Sequence, residues 1–168
     1  MHGKAVLNME ANQYIEEDTQ HGRYLTFAIG VEAYGLEIRN VTEIVGVQPI
    51  TPIPEVPAYV KGVINLRGKI IPVIDVRLRF GREPMEYNDR TCIVVVDIQD
   101  ICVGLIVDSV SEVITIDDAN VVPPPDWRTG MQNRYIKAIG KVGNDVKLLL
   151  DCDKLFKGSE LSELENLG

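Results

Sequence analysis

Short runs of apolar and β-branched residues, broken by Gly, Pro and Asp, fill most of residues 23 to 151: YLTFAIG, YGLEI, EIVGV, YVKGVINL, KIIPVID, CIVVVDI, CVGLIVD, SEVITI, YIKAIGKV and DVKLLLD. Ten runs of this length at a spacing of about 8 to 12 residues predict an all-β chain of small barrels or sandwiches. Helix is predicted only in short pieces. Asp75 before VRLRF and Gly81, and Asp153 before KLFK and Gly158, carry the N-cap and terminal-glycine pattern of single helical turns. ELSELENL reads as a short C-terminal helix begun by Ser159, and residues 1–21 read as a polar arm.

The chain also matches itself. At an offset of 69, YGLEIRNVTEIV falls on VGLIVDSVSEVI and pairs Gly35 with Gly104, Leu36 with Leu105, Val41 with Val110 and Glu43 with Glu112. At an offset of 76, YVKGVINLRGKIIPVIDVRLRF falls on YIKAIGKVGNDVKLLLDCDKLF and pairs Tyr59 with Tyr135, Lys61 with Lys137, Asp75 with Asp151 and Phe80 with Phe156. The blocks keep their order, and the change of offset falls in two Pro-rich connections, PITPIPEVP and VVPPPDWRTGMQ. Loops absorb length drift between related units, so the pattern predicts two similar five-stranded barrels, residues 22–90 and 91–157, followed by a tail at 158–168.

The duplication isolates one residue. Leu66-Arg67-Gly68 stands where the second copy has Val142-Gly143-Asn144, so the turn persists while the arginine does not. Gly68 and Asn144 suit positive φ and have a structural reading. Arg67 is left as a tertiary ion-pair former or a partner contact. Asp75 and Asp151 occupy equivalent places before helical turns, which makes capping a better reading than an acid and base couple.

Charge narrows the partners. A formal net charge of −8 argues against nucleic acid and anionic membranes, since both select clustered Lys and Arg. No run reaches the roughly 18 to 20 apolar residues of a membrane span, the N-terminus lacks a secretory signal pattern, and a cytosolic protein is expected. Cys92, Cys102 and Cys152 lack C-x-x-C spacing and are expected as reduced, buried thiols. His2 and His21 have no companions at metal-ligand spacing, Trp127 reads as a loop plug, and no cofactor motif occurs. A small β-barrel enzyme working through Asp, Cys and Arg is the rival reading, but no nucleophile is matched to a base.

KGVINLRGKIIPVIDVR, preceded by YGLEIRNVTEI and followed by YNDRT and GLIVDSVSEV, resembles the CheW family of chemotaxis coupling proteins over about Arg23 to Leu155. The wider superfamily includes the regulatory domain of the histidine kinase CheA and part of CheV. The resemblance implies two SH3-like β-barrels and a non-catalytic adaptor, without cofactor or metal, placed in the cytoplasm at receptor arrays. It implies two partners: the regulatory domain of CheA and the cytoplasmic tips of methyl-accepting chemotaxis receptors. For the receptor it implies a groove between the barrels lined by Leu25, Ile38, Val41 and Ile44 with Arg67 at its edge and Glu43 as the ion-pair partner of Arg67. For the kinase it implies loop and strand ends that include Ile50, Lys61 and Gly62. Read without the family, Ile38, Val41 and Ile44 are expected to form one face of the core, a reading that the matching Val107, Val110 and Val113 of the second copy support in part.

Overall fold

The computed structural model describes residues 20–125, 134–156 and 160–167; His2, Trp127, Gly158 and Ser159, each given a role above, lie outside them. The first half supplies β1 (Arg23–Ile29), β2 (Glu32–Glu37), β3 (Val41–Gly46), β4 (Val60–Leu66) and β5 (Lys69–Asp75). The second supplies β6 (Cys92–Ile98), β7 (Ile101–Val107), β8 (Ser109–Thr115), β9 (Val121–Val122), β10 (Ile136–Val142) and β11 (Asp145–Leu150). Every predicted run is a strand, and the two-residue β9 is the addition. Short helices cover Val76–Arg79 and Glu160–Glu165.

The strands form two packed sheets, ordered β8-β1-β2-β11-β10-β9 and β3-β6-β7-β5-β4. The offsets of 69 and 76 make β1 equivalent to β6, β2 to β7, β3 to β8, β4 to β10 and β5 to β11. Substituting equivalents turns the order of the first sheet, less β9, into that of the second. The duplication is therefore structural, but the expected division into residues 22–90 and 91–157 does not describe the sheets. Each sheet takes the leading hairpin of one half and the remaining strands of the other. Matching sequences present matching edges, so pairing within a copy and pairing between copies carry the same sequence signature.

The exchange is sealed by two parallel contacts, β2 with β11 and β5 with β7, which pair Gly35 with Leu149 and Gly104 with Val73. These glycines are matched because their partners lie against them: a Cβ on Gly35 would stand 2.8 Å from Leu149 Cδ2, and one on Gly104 2.8 Å from Val73 Cγ1. Gly104→Ala should destabilise the fold by about 1–3 kcal/mol through overpacking, read as a lower urea midpoint. An unchanged midpoint would contradict this packing.

The unbroken apolar runs follow from burial on both strand faces. In β6, Val94, Val96 and Ile98 enter the large core between the sheets, while Ile93 and Val95 enter a second core on the opposite face with Ile64, Leu66, Ile71, Val73 and Ile106. Those residues are buried although they face away from the other sheet, so the second sheet curls around them. Tyr24, Ile116 and Leu149 form the smaller counterpart in the first sheet. A column of rings crosses the central core, Phe27 to Tyr34 at 5.5 Å, Tyr34 to Phe80 at 5.4 Å and Phe80 to Tyr135 at 5.3 Å.

Arg79 is charged and only 8% exposed. It is accommodated because its Nε donates to the Leu155 carbonyl at 2.6 Å, its Nη2 meets Glu160 at 3.3 Å, and its guanidinium lies over the Tyr59 ring at 4.5 Å. Tyr59 donates its hydroxyl to Glu160 at 2.9 Å, so one carboxylate ties the C-terminal helix to the β4 and β5 side of the core.

Only Cys152 matches the expectation of a buried thiol; Cys92 and Cys102 are half-buried. Cys102 lies near the start of β7, where Lys69 Nζ reaches its sulfur at 3.2 Å. Burial, and then the neighbouring Asp153 charge, push the Cys152 thiol up to about 12, which keeps it protonated and unreactive at neutral pH. Alkylation of the native protein in mildly alkaline buffer should label Cys92 and Cys102 and spare Cys152 until the chain is unfolded. Equal labelling of all three would contradict this burial.

Candidate functional site

The β3 strand borders β6 alone and forms one edge of its sheet. Val41 stands opposite Val96 and Ile44 opposite Val94, and those two β6 residues belong to the core between the sheets. Residues directly opposite in an antiparallel pair share a face. Val41 and Ile44 therefore share the inter-sheet face, at the edge where cover runs out. Val41 and Ile38 are half-buried against the central core, while Ile44 is 41% exposed.

Leu25 lies elsewhere. It is 2% exposed, because the alternation along β1 sends Leu25, Phe27 and Ile29 into the central core. Its side chain offers nothing to a partner, which corrects its place in the expected groove. Across the sheet Leu25 is opposite Val113 of β8. Val113 is 42% exposed and is the duplicate of Ile44. The outer strand of each sheet thus leaves one equivalent apolar side chain half-uncovered. Sequence reading used Val113 only as a match in part support of a core face; its alignment with Ile44 was the signal that could have found it.

A bulge between Val41 and Glu43 changes the alternation, so that Glu43 is opposite Val95 and faces the inner side of the curled sheet. There it meets Arg67. This residue sits at the tip of the β4–β5 hairpin, whose register ends with Leu66 opposite Lys69 and leaves Arg67 and Gly68 as the two turn residues. Both are left-handed, at φ 53 and 87. Two left-handed central residues match the twist of a hairpin, and Asn65 Oδ1 accepts from the Gly68 N–H at 2.8 Å to hold the turn. In the duplicate hairpin the left-handed residue is Gly143 at φ 61, where the sequence had suggested Asn144. Arginine therefore occupies a position that its own duplicate gives to glycine, at a cost on the order of 1 kcal/mol.

The Arg67 guanidinium forms an ion pair and hydrogen bond with Glu43, with side chains 69% and 31% exposed. β3 and β4 are the opposite edges of their sheet, so this contact bridges the open side of the curl. The hydrogen bond holds the Glu43 carboxyl below its ordinary range and raises Arg67. A lowered carboxyl pKa means that the pair is intact above the ordinary carboxylate range and is lost as pH falls through the lowered value. Exposed pairs of this kind add little to stability.

The residues expected at the kinase contact divide by burial. Ile50 is half-buried against the inner core, Lys61 is half-exposed, and Gly62 is buried. Gly62 lies at a bulge in β4 with φ 141, beneath Thr51, which exchanges hydrogen bonds with Val63 at 2.9 and 3.0 Å. Its place is set by close approach of backbone.

Asp75 accepts from the Leu78 N–H at 3.2 Å and from the Tyr87 hydroxyl at 2.8 Å, capping the turn that Gly81 ends at φ 78. Asp151 accepts from the Asp153 N–H at 3.1 Å and caps a turn that starts at Cys152. Asp153 lies inside that turn, which corrects its reading as a cap. His21 is exposed beside Asp118, at 2.9 Å. Among the described residues no group of three or more His, Cys, Asp or Glu is placed to hold a metal ion, and no helix is long and apolar enough to cross a membrane.

The profile of the CheW-like domain matches residues 23–160, which span both sheets. The chain belongs to the CheW family. It is 31% identical over 167 residues to the chemotaxis protein CheW of Klebsiella aerogenes, covering 99% of this chain and 98% of that one. It is 40% identical over 147 residues to the CheW of Treponema pallidum, covering 85% and 86%. A crystal structure of the scaffolding protein TtCheW from Thermoanaerobacter tengcongensis superposes with a TM-score of 0.77 at 38% identity, covering 83% of this chain and 94% of that chain. The all-β, two-sheet architecture is thus that of a family of bacterial chemotaxis scaffold proteins. Within this CheW-like domain, Glu43 and Arg67 lie in the first half and Val113 in the second.

Proposed function

We propose that this protein is a non-catalytic adaptor that couples the cytoplasmic tips of methyl-accepting chemotaxis receptors to the histidine kinase CheA through the regulatory domain of the kinase, in the cytoplasm at receptor arrays. Its kinship with CheW chemotaxis proteins supports the class of function. The observation that carries the receptor surface is Arg67, a solvent-exposed arginine in a left-handed turn position where the duplicate has glycine. Stability gains little from such a residue, whereas binding gains a planar group with several donors.

In this reading a helical receptor tip lays apolar side chains against the half-covered edge formed by Val41 and Ile44, and Arg67, positioned by Glu43, donates to its carbonyl or carboxylate oxygens. Val113, the equivalent on the other sheet, is included in this proposed surface on the strength of that equivalence. The kinase regulatory domain contacts the region of Ile50 and Lys61, with Gly62 shaping the backbone beneath. In this reading the two partners use different residues, so that one molecule holds both.

Titration of the labelled protein with a receptor-tip helical hairpin and, separately, with the kinase regulatory domain tests the division. The expected result is two sets of shifted amides, one around Ile44 and Arg67 and one around Ile50 and Lys61. A single shared set would refute two-partner bridging. Val113→Glu should weaken receptor-tip binding by about tenfold or more, with a native melt, because it buries a charge against an apolar contact. Unaltered affinity would remove Val113 from the surface.

A further inference from the structure

Lys69, the first residue of β5, and Cys102, near the start of β7, meet on the inner face of the curled sheet. Side chains alternate along a strand, so Cys102 shares a face with Ile106 of the inner core, and Lys69 shares one with Ile71 and Val73. There the Lys69 Nζ donates to the Cys102 sulfur at 3.2 Å. Lys69 is exposed and Cys102 half-buried, so a small solute reaches the pair. The duplicate shows that the fold needs neither residue: at the offsets of 69 and 76, Cys102 falls on Ala33 and Lys69 on Asp145. Ala33 and Asp145 line one hollow, so the two places adjoin in both halves, but only one half sets an amine against a thiol.

We propose that Cys102 and Lys69 form an oxidative modification site, at which peroxide joins them through a sulfur–nitrogen bond. The Cys102 thiolate attacks one peroxide oxygen, the O–O bond breaks, and the hydroxide released takes a proton from the Lys69 ammonium. The free amine then attacks the sulfenic sulfur, and the S–O bond breaks as the hydroxyl leaves as water with a second proton from nitrogen. One peroxide is reduced to two waters, and the chain loses two hydrogens. A second thiol would ordinarily capture a sulfenic acid, but the geometry denies one to Cys102. Cys92 is opposite Val107 while Cys102 is opposite Asp97, five positions along the β6–β7 pair and roughly 16 Å away, against the about 7 Å between Cα atoms that a disulfide spans. Cys152 lies in the core between the sheets, on the face that Val103 enters and Cys102 turns away from. The Asp97 carboxylate accepts from the Asp100 N–H at 2.9 Å, so the amine is the nucleophile held at the sulfur. The new bond fastens the start of β5, beside the turn that holds Arg67, to β7. Neither residue is among those assigned above to receptor or kinase, so the proposal stands apart from that reading.

The test is treatment of the full chain with dilute hydrogen peroxide in mildly alkaline buffer, followed by mass spectrometry of the intact chain and of its peptides. The expected product is lighter than the untreated chain by two hydrogens, carries the Lys69 and Cys102 peptides joined, and reverts with a thiol reductant. A diketone that captures sulfenic acids should label Cys102 weakly in the wild type and strongly in Lys69→Arg, which keeps the positive charge but not the nucleophilic amine. Cys102→Ser, and wild-type protein unfolded in urea so that the pair is separated, should give no joined peptide. Oxidation of Cys102 that leaves Lys69 free would overturn the proposal. So would the same loss of two hydrogens from Lys69→Arg, or a Cys102 that peroxide leaves unchanged.

Discussion

Arg67→Ala should fold and melt within about 1 kcal/mol of wild type, yet bind a receptor-tip fragment about ten- to a hundredfold more weakly. The two halves of that expectation come from different contacts. The ion pair with Glu43 is exposed, so its loss alters stability little. At a partly desolvated interface the same guanidinium makes charge-assisted bonds, whose loss costs roughly 1.5–3 kcal/mol. Arg67→Lys should rescue poorly, because an ammonium lacks the planar fork. Arg67→Gly is the sharper control. It puts at φ 53 the residue that the duplicate hairpin uses at φ 61, so the turn is kept and any loss of binding belongs to the missing side chain. A large fall in the melting temperature of Arg67→Gly would make Arg67 a structural residue, and normal receptor affinity would sink its assignment to the surface.

Gly62→Val should have the largest effect on the fold. A Cβ at Gly62 would lie 2.0 Å from the Thr51 carbonyl oxygen and 2.7 Å from its carbon, and φ 141 is a conformation that L side chains rarely adopt. Backbone must move, and the Thr51–Val63 bridge that covers the outer edge of β4 must break. The expected loss is roughly 3–5 kcal/mol, enough to unfold much of the population of an ordinary domain. Gly68→Val strains a left-handed φ but meets nothing within 4 Å, so its cost should be smaller, roughly 1–2 kcal/mol. Equal midpoints for the two variants in chemical denaturation would show that close approach is not what fixes Gly62. Should Gly62→Val lose kinase binding, its melt must be read first, since an unfolded chain loses every contact.

Strand positions were legible because CIVVVDI or KIIPVID can bury both faces only within layered sheets, and Gly, Pro and Asp mark the ends. The duplication was legible to the same degree: Gly35 and Gly104 recur because each admits the side chain of a last strand, Leu149 or Val73. The partner copy was not legible. Nothing in YGLEI or VGLIV says which of two equivalent last strands it borders, and the choice is made by the connections between the sheets. At the surface, Arg67 could be singled out by contrast with Gly143, and its companionship with Glu43 was implied by the family resemblance. Its own φ could not, since turn propensity points to Gly68. Leu25 and Ile44 both lie in predicted strands, and their opposite fates follow from distance to a sheet edge, which periodicity does not encode.

The account rests on one protein holding receptor and kinase together. Reconstitution of CheA with receptor-tip hairpins, with and without this protein, measures that directly as kinase autophosphorylation against receptor occupancy. The expected result is receptor-controlled autophosphorylation that appears on addition of wild-type protein and is lost with Arg67→Gly, while that variant still binds the kinase regulatory domain. Receptor control that is equally strong without the protein, or unchanged with Arg67→Gly, would contradict the account.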